Sequence, residues 1–475
     1  MRLFWFRIHE GTAVNRTKFA PLCLGGVQFV TPVALAPMAD VTNAVFRDMC
    51  LEFSRQGLPV ELACPEAELG KGQATHETEM VTATCDVTMS ANRSTAATQA
   101  HIKAAIDAAP RPNAPGKAQV EGMFVGEMVT AKALRMGSAR SWVMVKSGPL
   151  QAVKSIQLYG VVGEDLAWAA GELVRRGLAD HIDLNFGCPV PKVTRKGGGS
   201  ALPWKTAYFG EVVAAVVAAT RVASEDSGRS FPVPVTVKIR SGIDAEHRIF
   251  LDVARVAEDN GVAAVTLHAR TTSEYYGGHS HWEDIAALVE VLDIPVLGNG
   301  DVFCAADALE MFRQTGCAGV EIGRAVQGCP WIFREITAAL WGLPVPVGPS
   351  LGEVANVARR HAEGLVAHYG NELVALRDMR KHLGWYFRGF GLGGEMRGRL
   401  ARVESLAELE QATHELIERL GADTPYPSAA TGPHGRSRTQ RKVHLPEGWL
   451  DTREMNAAAR AALHLDDDGC DPYAH

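Results

Sequence analysis

Long apolar runs are missing from this chain of 475 residues. No stretch reaches the roughly 18 consecutive apolar residues that a membrane-spanning helix needs, so no membrane contact is expected. Paired cysteines are missing too. The nine, at positions 23, 50, 64, 85, 188, 304, 317, 329 and 470, are scattered, odd in number and without Cys-x-x-Cys spacing. That excludes a disulfide framework and a zinc site, and predicts a metal-free protein of the reducing cytoplasm. An excess of positive charge is also absent: 48 Lys and Arg against 54 Asp and Glu leave a formal net charge of −6. A generally basic nucleic-acid coat is thereby excluded, and any RNA contact has to come from a local patch. The opening MRLFWFRIHEG is apolar only briefly and carries Arg7 and His9, so a secretory leader is not expected. What remains is ordinary globular composition, with 47% hydrophobic and 21% charged residues. The length predicts two or three domains.

From Val33 onward, short apolar runs alternate with amphipathic helical patterns. The strands are read at 33–36, 123–126, 155–159, 181–185, 233–239, 263–268, 294–297 and 318–322. Helical patterns follow them, among them 164–177, 206–224, 282–291 and 305–314. Eight such units predict an α/β fold, a (β/α)8 TIM barrel over residues 22–342, preceded by an extension at 1–21. Residues 52–122 break the rhythm: they are rich in Ala, Thr, Pro and Gly and show no period, which reads as a partly disordered insertion. The Pro-rich LPVPVGPS at 343–350 opens a small all-helical domain ending near 420. Residues 421–475 are rich in Pro, Ser and charge, and are expected to be a mostly disordered tail.

Chemistry concentrates at the predicted strand ends, where barrels carry their sites. The fourth strand runs into HIDLNFGCPVPKVTRKGGGSALP, with Asp183 inside the strand, Cys188 in the turn and the pair Arg195-Lys196 before three glycines. Cys188 is read either as a packed structural thiol or as a reactive one; its polar and basic surroundings favour the second. Gln157 lies within a strand otherwise made for burial, so its amide needs a partner: a neighbouring strand or a planar heterocycle in the barrel mouth. Lys238 ends VPVTVKIRSG with Arg240 on the same face, and suits a Schiff base, an anion-stabilising cation or plain solvation. His268 joins Arg270 and Thr271 in a cluster of donors. Asn299-Gly300-Asp301 and Gly323-Arg324 close the last two strands, and glycines there let backbone N–H groups approach a phosphate. In residues 377–402, Arg377, Arg380, Lys381, Arg388, Arg397, Arg399 and Arg402 outnumber Asp378 and Glu395, with Trp385, Tyr386, Phe387 and Phe390 interleaved. That mixture reads as an RNA surface or as a solvated face over an aromatic core.

Asn-x-Gly-Cys-Pro followed by Lys-Val and a Gly-rich Ser-Ala-Leu run, together with MRKHLGWYFRGF, resembles the tRNA-dihydrouridine synthases, flavoenzymes of the (β/α)-barrel class. The resemblance implies FMN as cofactor, NADPH or NADH as electron donor, tRNA as partner and substrate, and a monomer. It assigns the proton donor to Cys188 and places Lys238 near the flavin N1–O2 edge, with His268 near flavin and substrate. Gln157 would contact the flavin ring, which would rest on Pro37, Met38 and Ala39. The phosphate would lie at Asn299, Gly300, Asp301, Gly323 and Arg324, and the helical domain would bind RNA through Arg380, Lys381 and Arg388. Two rivals stand beside it: a related barrel acting on free pyrimidines, against which the basic helical domain argues, and a non-catalytic RNA-binding protein, against which Cys188, Lys238 and His268 argue.

Overall fold

The structure, a computed structural model, describes residues 19–59, 62, 117–427, 440–456, 459–460 and 463. Its centre is a closed barrel of eight parallel strands: β1 (Val33–Leu35), β2 (Met123–Thr130), β3 (Ser155–Tyr159), β4 (His181–Phe186), β5 (Val235–Gly242), β6 (Ala264–Thr271), β7 (Val296–Asn299) and β8 (Gly319–Ile322). Neighbours pair in chain order, and β8 returns to β1 with Val320 opposite Val33. Period-two alternation divides each strand between two environments. Outward residues such as Leu184, Phe186, Val237 and Ile239 pack into the main core with the surrounding helices, as where Phe186 meets Phe209 edge-on at 4.8 Å. Polar residues turned inward join across the barrel and build the site. The helix Thr206–Asp226 is long and apolar enough to cross a membrane, yet its Phe209, Val212, Val213 and Val216 are buried in that core.

One element has no counterpart in the sequence reading. Leu22–Leu24 and Val27–Phe29 form an antiparallel hairpin, turning at Gly25 in the left-handed region (φ 56°), and Lys117–Gln119 pairs parallel to Val27–Phe29. Leu22, Leu24, Val27 and Phe29 close the amino end of the barrel against Ala34, Met123, Val125, Ala264 and Leu297. Three-residue strands carry too little period to be read from sequence.

The inserted stretch expected at 52–122 lies mostly outside the described residues. Its first residues instead complete the helix Ala44–Gln56, whose amphipathic face carries Phe46, Met49 and Leu51 inward. After β8 and the helix Ile332–Leu340 come the helices Leu351–Tyr369, Glu372–Tyr386, Gly393–Leu400 and Leu406–Leu420. Ser350 and Glu353 form a reciprocal cap on the first of these, which ends at Gly370 in the left-handed conformation. The helical region packs on the first barrel helix: Phe46 touches His361 and His382, and Arg360 pairs with Glu52 at 2.6 Å.

Residues 440–456 depart from the expected disordered tail. They lie along the barrel's mouth with Trp449 only 5% exposed and the indole N–H donated to the Ala201 carbonyl. The sequence LPEGWL is too short to predict burial by itself; a complementary surface on the barrel supplies it.

Candidate active site

At the carboxyl ends of the strands opens a cavity of about 420 Å³, within the range of roughly 300–1,000 Å³ typical of small-molecule and cofactor sites. Its wall includes Pro37, Met38, Ala39, Gln157, Cys188, Lys238, His268, Asn299, Gly300, Asp301, Gly323 and Arg324. Every candidate cofactor residue and the candidate thiol therefore meet in one place.

Cys188 is set by a local device. Asn185, at the end of β4, accepts from the backbone N–H of Gly187 at 3.2 Å and of Cys188 at 2.9 Å, which bends the chain as the strand stops. The same Asn185 donates its Nδ2 to Gln157 Oε1 at 2.8 Å. Gln157 in turn donates Nε2 to Asp183 Oδ2 at 2.7 Å, and Thr236 donates to Asp183 Oδ1 at 2.6 Å. His181 Nε2 sits 2.9 Å from the Thr236 oxygen; with the Thr236 hydroxyl committed to Asp183, the imidazole is the donor there. Half of Gln157's hydrogen-bonding capacity is thus spent on β4, leaving one N–H and one lone pair for anything in the cavity. Burial pushes Asp183 up to about 7, against the hydrogen bonds from Thr236 and Gln157 that favour its charged form.

A second network spans the barrel interior. Lys238 Nζ donates to Asn299 Oδ1 at 2.9 Å and pairs with Glu321 Oε2 at 2.5 Å, while Asn299 Nδ2 donates to the Glu321 carbonyl at 2.7 Å. Glu321 was missed in the sequence. Its signal was a carboxylate in the middle of GVEI, a strand buried at every position. The pair holds the Lys238 ammonium at the cavity edge as a fixed cation, which does not suit a nucleophilic amine.

His268 is held well below its ordinary pKa by burial and by Arg240, Lys238, Arg270 and Arg324 around it. It is a neutral hydrogen-bonding group. Arg270 is also diverted from the cavity: fully buried, it grips both oxygens of Asp301 at 2.8 Å and the carbonyls of Gly277 and Gly278. Arg240 ties two loops together, donating to the carbonyls of Gly187, Thr271 and Tyr275. The sequence placed Arg240 beside Lys238 but could not assign it these partners.

The ends of β7 and β8 form the remaining wall. Gly300 has φ 123°, and a Cβ there would come within 2.3 Å of Ser280 Oγ, so only glycine fits this turn. Arg324 lies over the Tyr276 ring at 5.0 Å, with Nη2 3.5 Å from Asp301 Oδ1. Glycine backbone, Arg324, Lys238 and the neutral His268 offer donors for an anionic, planar group, and Ala36, Pro37 and Met38 offer it an apolar floor.

Away from the cavity, the basic helical stretch divides. Tyr386, Phe387 and Phe390 are buried and Trp385 half-buried, so these aromatics are core, not a platform for bases. Arg380 donates to the carbonyls of Val403 and Arg402 and to Glu404, fastening the helix Glu372–Tyr386 to the turn after Leu400. Lys381 pairs with Asp378 and remains half-exposed, as does Arg388.

A barrel with a cofactor-sized cavity at its strand ends, a thiol at the mouth and a fixed cation inside defines an enzyme of the (β/α)8 class. The family model described as "Dihydrouridine synthase (Dus)" matches residues 34–420, and the chain belongs to that family, whose members are flavin-dependent oxidoreductases. It is 43% identical over 418 residues to a Mycobacterium leprae protein named "Probable tRNA-dihydrouridine synthase", covering 88% of this chain and 95% of that one. A Mycobacterium tuberculosis protein of the same name is 41% identical over 90% of this chain and 92% of its own. A Pseudomonas aeruginosa protein named "tRNA-dihydrouridine synthase B" is 38% identical over 60% of this chain and 81% of its own.

Proposed function

We propose that this chain reduces uridines in tRNA to 5,6-dihydrouridine, with FMN in the 420 Å³ cavity, NADPH as reductant and Cys188 as proton donor. The observation that carries the reading is the convergence of Cys188, Lys238 and the glycines of β7 and β8 on that one cavity. FMN, when bound, would supply the redox chemistry, hydride transfer between NADPH and carbon 6 of uracil. Lys238 and His268 would hold the cofactor's polar edge, Pro37, Met38 and Ala39 its face, and Gly300, Gly323 and Arg324 its phosphate. A target uridine has to leave its stack to reach this depth. Cys188 Sγ then gives its proton to carbon 5. Burial raises the thiol's pKa above its ordinary 9.0, so the proton is present at neutral pH. As negative charge develops on the uracil carbonyl, Lys238 opposes it as a cation and His268 as a neutral N–H donor.

The barrel, residues 22–342, would be the catalytic unit and residues 343–420 the tRNA-binding one, with Lys381 and Arg388 presenting charge to the phosphate backbone. Purified protein, NADPH and unmodified tRNA transcript should together yield dihydrouridine, read by nucleoside mass spectrometry. Protein that binds FMN and oxidises NADPH with an artificial acceptor but leaves every uridine intact would overturn the proposal.

A further inference from the structure

We propose that residues 441–453 form a strap that positions Cys188, with Trp449 as its anchor; this rests on Cys188 being the proton donor. The segment crosses two loops that line the mouth. At one end the Arg441 backbone N–H donates to the Ser273 carbonyl at 2.7 Å, and its guanidinium lies 4.5 Å from the centre of the Tyr275 ring. Next, the His444 carbonyl accepts from Thr194 Oγ1 at 2.6 Å, in the short helix that follows Cys188-Pro189. Farther along, the buried Trp449 ring presses on Gly197, where a Cβ would come within 2.6 Å of it, and its indole donates to the Ala201 carbonyl at 3.0 Å. The Thr452 carbonyl then accepts from Lys205 Nζ at 2.6 Å and Trp204 Nε1 at 3.1 Å.

These interactions reach Cys188 through two residues. Ser200 donates its backbone N–H to the Cys188 carbonyl at 3.0 Å, and Ser200 precedes Ala201, which Trp449 holds. At Gly199 an added Cβ would lie 2.5 Å from that same carbonyl, so there is no slack between the held segment and the turn bearing the thiol. On the inner side, Arg240 joins the same two loops through the carbonyls of Gly187 and Tyr275. Arg240 thus fixes the loops from within and the strap from without, with the thiol between them. A tail packed only for stability would bind anywhere on the barrel. This one spans the loop of the thiol and the loop of Tyr275, and its hydrogen bonds fall at intervals along 194–205.

The experiment measures alkylation of Cys188 by iodoacetamide in the full-length, FMN-loaded protein, read by peptide mass spectrometry with the exposed Cys23 as internal reference. Trp449→Ala and, separately, the near-isosteric Thr194→Val should each accelerate labelling at Cys188 by roughly tenfold, the scale of one hydrogen bond or anchoring interaction removed, and leave Cys23 unchanged. Both variants should reduce flavin with NADPH at wild-type rates and reoxidise it with tRNA more slowly, and Trp449→Phe should restore part of the loss. Wild-type labelling of Cys188 in both variants would overturn the strap. If Trp449→Ala fails to retain FMN, Thr194→Val decides alone. Labelling does not depend on Cys188 being the acid: a fully active Cys188→Ala would remove the acid reading, while unchanged labelling beside an inactive Cys188→Ala would remove the strap alone.

Discussion

At the scale of single residues, the thiol of Cys188 and the ammonium of Lys238 do different work and should fail differently. A general acid contributes typically about a hundred- to ten-thousand-fold, so Cys188→Ala should slow reoxidation of reduced flavin by tRNA by that order and leave flavin reduction by NADPH near normal. Cys188→Ser should be similarly poor, since a hydroxyl is a much weaker acid. Anaerobic stopped flow separates the two halves, and wild-type reoxidation in both variants would make Cys188 structural. Because burial raises the thiol's pKa, the tRNA half-reaction should hold through neutral pH and fall only above 9.0, as the proton is lost. Lys238 acts earlier. Lys238→Ala leaves Glu321 buried without its cation, and Arg324→Glu reverses the charge at the end of β8. Both should strip the yellow FMN absorbance from purified protein, and full flavin occupancy in either would remove that residue from the cofactor site.

The helix Glu372–Tyr386 and the turn after it illustrate how one element carries two kinds of cation. Arg380 is spent on the carbonyls of Arg402 and Val403, so Arg380→Ala should destabilise the protein by about 1 kcal/mol, a modest figure because the guanidinium is partly exposed. Lys381 and Arg388 retain exposure. Replacing both with Gln should weaken tRNA binding and flatten the slope of log affinity against log salt by roughly 0.7–0.9 for each phosphate no longer neutralised. NADPH oxidation with an artificial acceptor should not change. Unaltered affinity across the salt range would take this surface out of RNA recognition.

For the molecule as a whole, buried titratable groups set how stability responds to acid. His181 and His361 are pushed down to about 3, and His382 well below its ordinary value, all chiefly by burial. The unfolded chain binds protons at these positions below about 6.5 and the folded protein does not, so they remove stability as pH falls from there toward 3. Asp183 and Glu127 are raised to about 7 by burial, so the folded state holds the extra protons between about 4 and 7. Their contribution is full below about 4 and is lost as pH rises through 7. The two sets oppose each other between pH 7 and 4, and only the histidines act below. Denaturant unfolding should therefore show a shallow profile down to about pH 4 and a steep loss beneath it. His382, with no hydrogen-bond partner on either ring nitrogen among the described residues, gives the control. His382→Leu should gain stability relative to wild type more at pH 5 than at pH 7; an equal difference at both would mean the histidine does not titrate across unfolding.

The barrel was legible in the sequence because eight apolar runs separated by helical periods leave few other ways to bury both, and the cavity followed because polar residues at strand ends have one common destination in a barrel. Cys188, Lys238 and the β7 and β8 glycines were readable on those grounds. What lay beyond the sequence depended on who meets whom across the barrel. Glu321 pairs with Lys238 from three strands away, burial and four surrounding cations hold His268 well below its ordinary pKa, and Asp183 and Asn185 occupy half of Gln157's hydrogen-bonding capacity. Composition also could not tell an aromatic platform from an aromatic core in residues 385–390, because stacking and burial draw on the same side chains. The tail shows the limit most clearly. Its residues have the makeup of a disordered segment, and only the surface formed by Gly197, Ala201 and Lys205 gives Trp449 a place to be buried. Local pattern determines the elements and the strand ends that carry chemistry; pairing between distant segments decides charge state, partner and order, because those depend on the dielectric and the donors that other parts of the chain bring.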